Sequence, residues 1–184
     1  MFTEEILDGF DKFLVKKNLT FSGVVIGGGA LLLLKVVSRA TQDLDVLDPD
    51  INPNIKKASE DFAAEFNKNN SEKILLIDWL NNGPVSLKRE LPEGWRESLD
   101  LIYRGDAIKL FTLSRDNLLK SKLFAYVDRD VDLRDLIKMS PNKDEVENSY
   151  EWVSQRDGHP GWPKHARGKF DDLILILEKE RKDK

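Results

Sequence analysis

Apolar side chains recur every three or four residues from position 3 to 17, where Ile6, Leu7, Phe10, Phe13 and Leu14 share one side of a predicted helix. The period then shortens. "FSGVVIG" (21–27) is a β-branched run closed by glycine and predicts a strand, and "ALLLLKVVSRA" (30–40) predicts a helix packed on its neighbours. "DLDVLD" (43–48) predicts a second strand, followed by a loop punctuated by Pro49 and Pro53. Ile55, Ala58, Phe62 and Phe66 fall on one face of a helix over 55–69, whereas "KILLIDWL" (73–80) fits either a buried strand or a short apolar segment. Two apolar runs in "LDLIYRGDAIKLFTL" (99–113) meet at Gly105-Asp106, a hairpin signal. Ser114 then reads as the N-cap of a helix over 114–129, with a second short helix in "DVDLRDLIKM" (130–139). The polar, turn-rich stretch 140–168 predicts a helix followed by a loop, and "KFDDLILILEKERK" (169–182) closes the chain as an amphipathic helix. This order predicts an α/β (α+β) fold, a small mixed sheet flanked by helices with a helical C-terminal part, divided as a core over 1–115 and a helical region over 116–184.

Composition narrows what such a domain does. The chain has 184 residues, 40% hydrophobic and 34% charged, with a net charge of −4, so a strongly basic nucleic-acid surface is absent although a local basic pocket remains open. There is no cysteine, which excludes disulfides, thiol catalysis and cysteine-ligated zinc. The start "MFTEEILDGF" is acidic and amphipathic rather than an export signal. The most apolar stretch, 21–37, is divided by three glycines and Lys35, so it reads as strand running into helix and not as a membrane span. A cytoplasmic protein with no membrane partner is the expectation.

The candidate chemistry lies where the first strand, the glycines and the second strand meet. Gly27, Gly28 and Gly29 follow a strand and precede a helix, where bare backbone and the helix N-terminus suit a phosphate, although a tight packing turn needs the same residues. The spacing matches neither a dinucleotide fingerprint nor a P-loop. Asp43 and Asp45 would point to the same face of the second strand with Cα atoms roughly 6.5 Å apart, while Leu44 and Val46 face the core. Two carboxylates so close repel unless a cation lies between them or solvent surrounds them. Mg²⁺ (or Mn²⁺), which takes oxygen ligands and bridges to substrate phosphates, is the natural partner.

Gly28-Gly29 followed after thirteen residues by Asp43-Leu44-Asp45 resembles the signature of the DNA polymerase-β-like nucleotidyltransferase superfamily. Arg39, Thr41, Asp43 and Asp45 are similar to the R-x-T-x-D-apolar-D string of its prokaryotic AbiEii-like branch, which includes abortive-infection toxins. "LLKSKLFAYVDRDVDLRDLIKM" resembles a helical segment of that branch and brings in Lys122, Arg129, Asp132 and Asp135, and "DWLNNGPV" (78–85) resembles a "WLN" segment of related proteins. The resemblance implies a nucleotidyltransferase fold and Mg²⁺-dependent transfer from a nucleoside triphosphate to a hydroxyl of RNA (tRNA) or protein, with a cognate antitoxin as a possible partner. It implies metal ligation by Asp43 and Asp45, catalytic roles for these two and Lys122, and nucleotide binding by Gly28, Gly29, Arg39, Thr41 and Asp132. Active members add a third carboxylate, for which Asp78 is the first candidate and Asp100 the second.

Plainer roles stand beside these. Lys122 lies among Leu119, Leu123 and Tyr126 at helical spacing and so reads equally as a lysine whose stem runs along the core. Asp132 reads equally as an N-cap, Asp135 as structural, Arg129 as an ion-pair partner of Asp132, and His159 and His165 as part of a loop packed by Trp162 and two prolines. The function alternatives are a catalytically degenerate nucleotide-binding or interaction module of the same fold, and a DxD phosphatase or hydrolase.

Overall fold

A computed structural model describes residues 1–70, 74–83 and 87–183, and the chain divides into two compact units, Met1–Ser114 and Arg115–Lys184. The first unit is built on a five-stranded mixed sheet of order β3-β2-β1-β5-β4, formed by β1 (Phe21–Ile26), β2 (Leu44–Asp48), β3 (Leu80–Asn81), β4 (Leu99–Arg104) and β5 (Ile108–Leu113). β1 runs antiparallel to β2 and parallel to β5, β3 is parallel to β2, and β4 is antiparallel to β5. A bulge between Val24 and Val25 offsets the first pair, so that Val25 faces Val46 and Ile26 faces Asp45.

Helices α1 (Glu4–Lys16) and α3 (Pro53–Asn69) carry the apolar stripes read from the sequence and bury them with Val25, Leu44 and Val46 of the sheet. Asn52 caps α3 by accepting the amide of Ile55, and Pro53 occupies its first turn. The centre of this core is aromatic. Trp79 is fully buried, stacks on Phe2, meets Phe10 edge-on and donates its indole N–H to the carbonyl of Ser59.

One polar residue of α1 holds the sheet's hairpin. Asp11, 5% exposed, accepts the amides of Asp106, Ala107 and Ile108 at 3.1, 3.0 and 2.8 Å. These charge-assisted bonds satisfy a turn of three residues between β4 and β5. Glycine at 105 is what lets the carboxylate in, since a Cβ there would lie 2.2 Å from Asp11 Oδ1.

The second unit is helical: α5 (Arg115–Arg129), α6 (Leu133–Met139), α7 (Lys143–Ser154) and α8 (Trp162–Lys182). In the first unit, α2 (Gly27–Leu33) and α4 (Leu87–Glu90) complete the count. Asn142 and Glu145 form a reciprocal capping box at the start of α7. No described helix is long and apolar enough to cross a membrane.

Two elements differ from the expectation, and the structure decides a third that the sequence leaves open. The helix predicted over 30–40 begins at Gly27 and ends at Leu33, because Lys35 adopts a left-handed backbone (φ 59°) that releases Val36 and Val37 from the helix. Of "KILLIDWL", Lys73 lies outside the described residues; Ile74, Leu76 and Ile77 are exposed while Leu75 and Trp79 are buried, and only Leu80 joins a strand. The last helix starts at Trp162 rather than 169, with Pro163 in its first turn, so His165 sits on a helix and contacts the carbonyl of Val127 at 2.9 Å.

Candidate functional site

Each glycine of the β1–α2 turn faces a different part of the segment leading into β2. Gly27, at φ 74°, presents its bare Cα to Asp45: a Cβ there would lie 2.7 Å from Oδ2. At Gly28 it would lie 3.0 Å from Thr41 Oγ1, and at Gly29 2.6 Å from Leu44 Cδ1 and 3.3 Å from the carbonyl oxygen of Asp43. The turn is therefore glycine because side chains and backbone of residues 41–45 occupy the room a Cβ requires. Asp45 meets the turn through its carboxylate and Asp43, just ahead of β2, through its backbone carbonyl; both side chains are half-buried. Arg39 is exposed in the loop before β2.

Asp45 is enclosed from a second direction. Gly83 follows β3, and a Cβ on it would lie 2.7 Å from Asp45 Oδ1 and 2.8 Å from Asp45 Cβ. The run "WLNNG" delivers that glycine one residue at a time. Trp79 anchors in the aromatic core, Leu80 pairs with Leu44 and Asn81 pairs with Asp45 across the parallel strands. Asn82 accepts the amide of Ile51 at 2.9 Å and donates to the carbonyls of Val46 and Pro49, both at 3.2 Å, which ties the loop after β2 to the strand beside it. Of the resembling segment, Pro84 and Val85 lie outside the described residues. The resemblance of this run to a "WLN" segment implies no role for Asn82 or Gly83; the Asn-Gly pair after an apolar run is the turn signal that marks them.

Thr41 is held from the start of the chain, where the Phe2 amide donates to the Thr41 carbonyl at 2.6 Å and the Thr41 amide to that of Phe2 at 3.3 Å. At the far end of β2, Asp48 is bonded by Lys88 and Arg96. Burial pushes its pKa up, but the bonds from these two cations outweigh burial and hold it below the ordinary carboxylate value.

The remaining sequence candidates lie elsewhere. Asp78 is exposed in the turn before β3, where its backbone carbonyl accepts from Asn81 Nδ2 at 3.4 Å, and Asp100 is exposed on β4. Among the described residues no three His, Cys, Asp or Glu side chains gather as a metal-binding group. Lys122 belongs to the second unit and is buried (4% exposed), its ammonium 2.9 Å from Asp135 and 3.1 Å from Asp132. Its head is thus paired inside protein and does not emerge into water. Asp132 stands at the N-cap position of α6 with a left-handed backbone (φ 70°) and makes no capping bond; its carboxylate turns to Lys122 instead. Arg129 is exposed, 3.6 Å from Asp128.

Asp43 and Asp45 are two half-buried oxygen donors, of the chemistry that suits Mg²⁺, which commonly takes one or two carboxylates and completes its shell with water and phosphate. A family model described as "Nucleotidyltransferase of unknown function (DUF6036)" matches residues 5–140. No curated protein matches the chain. No solved structure matches it.

Proposed function

Because the chain belongs to DUF6036, a family of nucleotidyltransferases of unknown function, we propose that the glycine-lined seat of Asp45 holds a nucleoside triphosphate and that the protein passes its nucleotidyl group to an acceptor hydroxyl. The observation that carries this reading is the enclosure of one carboxylate by two glycines, Gly27 and Gly83, from separate loops. Such an arrangement holds an acid in one place before substrate arrives, as a metal-binding carboxylate requires.

In the proposed reaction the acceptor oxygen attacks the α-phosphorus and a new P–O bond forms. The bond to the bridging oxygen of the β-phosphate breaks, pyrophosphate leaves and the hydroxyl proton passes to solvent. Asp43 and Asp45 would hold Mg²⁺ or Mn²⁺, which neutralises phosphate charge when bound. The backbone around Gly28 and Gly29 and the Thr41 hydroxyl would face the triphosphate. Lys122, committed to Asp132 and Asp135, is assigned to the integrity of the second unit and not to phosphate binding. Acceptors in keeping with the AbiEii-like resemblance are RNA (tRNA) or a protein side chain, with an antitoxin as regulatory partner.

A second reading, a nucleotide-binding module without turnover, is favoured by the absence of a third acid from the pair among the described residues. Calorimetric titration of nucleotide with Mg²⁺, run beside transfer of labelled nucleotide, separates the two. Transfer that Asp45→Asn reduces by at least about a hundredfold supports the enzyme; Mg²⁺-dependent binding without transfer supports the module; binding and transfer untouched by Asp45→Asn refute both.

A further inference from the structure

The groove between α1 and α3 in the first unit is a cavity of about 270 Å³ with an aromatic wall and a basic rim. Phe13 of α1 and Phe66 of α3 are half-buried and line it, with Phe62 beneath them. Gly9 admits the Phe62 ring, since a Cβ there would lie 3.2 Å from its Cζ. Lys12 and Lys16 stand exposed on the rim beside the acid Glu65, and the Lys17 ammonium, within electrostatic reach of Asp61, lies 4.9 Å from the centre of the Phe13 ring. That last contact places a cation over the Phe13 ring, on which Phe10 also stacks with the centroids 6.5 Å apart. Asn69 and Asn70 end α3 at the same cavity; Asn70 spends one N–H on the carbonyl of Phe66.

We propose that this groove binds single-stranded RNA, one base stacking on Phe66 while Lys12, Lys16 and Lys17 take the flanking phosphates. Size and chemistry favour this occupant. A cavity this small, flanked by two rings and two amides, admits a planar base but not the long apolar stripe of a docking helix. Lysines on one rim complement a phosphate backbone, and the overall charge of −4 makes that local basic patch a departure from the rest of the molecule. As the acceptor class, RNA rests on the proposed transfer reaction; the binding itself does not.

The test is fluorescence anisotropy on the full chain, with a labelled 12-nucleotide oligouridine, the same length of duplex RNA, and an acidic peptide as competitor. Oligouridine is expected to bind in preference to duplex, with log Kd changing with log salt at a slope of about 2 for three neutralised phosphates and about 0.7 in Lys12→Ala/Lys16→Ala. Phe66→Leu, which keeps apolar volume but loses the ring face, should weaken binding roughly fivefold to a hundredfold with its thermal midpoint near wild type. Oligouridine that does not bind, that binds equally to both variants, that binds less well than duplex, or that the acidic peptide displaces while itself binding more tightly, overturns the proposal. Asp45→Asn distinguishes the two readings: it should abolish nucleotide binding and leave oligouridine binding intact. Loss of either property alone therefore condemns only the reading it belongs to.

Discussion

Gly83 and Gly27 act on Asp45 as the two sides of a slot, and neither tolerates a methyl group without moving the carboxylate. Gly83→Ala is expected to lower transfer by about a hundredfold, the effect of displacing a reacting group by roughly an ångström, while circular dichroism shows the fold retained. Gly168 provides the contrast. It lies within α8, with nothing inside 4 Å of an added Cβ, so Gly168→Ala should stabilise the chain by about 0.5–1 kcal/mol in urea unfolding and leave transfer unchanged. The two glycines look alike in the sequence; what lies around each decides opposite outcomes.

Among the elements, β2 is fastened at its end by the pairing of Asp48 with Lys88 and Arg96. The pKa of Asp48 is lowered on folding, so its contribution to stability is complete above the unfolded value of 3.8 and is lost as pH falls through the folded one. Asp48→Asn should therefore cost stability to a constant extent at neutral pH. The gap to wild type should close as the pH falls below 3.8, which urea unfolding at pH 7, 5, 4 and 3 would show. The elements themselves were largely legible, because α1, α3 and the hairpin each carry a strong local period or turn signal. α2 was misplaced because its helical turn is made of glycines, the residues that ordinarily end helices, and a left-handed Lys35 stops it where the leucines give no warning. The start of α8 was hidden in the same way by Gly161 and Pro163, which read as loop and serve as a helix start. The meeting of Asp45 with Gly27 follows from strand–turn–strand order, but its second wall does not: Gly83 reaches Asp45 only because β3 pairs beside β2, a long-range event that local pattern does not encode. Asp11 was missed for a related reason, since an acid on an amphipathic helix gives no sign of the distant amides it will accept.

On the scale of the whole chain, the family match runs through nearly all of the first unit and on to α6, leaving α7 and α8 outside it. The shared part thus contains Lys122 with Asp132 and Asp135, a buried cation between two acids. Removing one member of such a group leaves charge stranded in protein. Lys122→Met is expected to destabilise the chain by about 3–5 kcal/mol in chemical denaturation. A neutral result would mean that the network is dispensable to the fold and would reopen a direct part for Lys122 in chemistry.

The paired amides of Phe2 and Thr41 carry a practical corollary for anyone handling the protein. A substitution that disturbs Phe2 is felt in a loop some forty residues downstream, next to the aspartates.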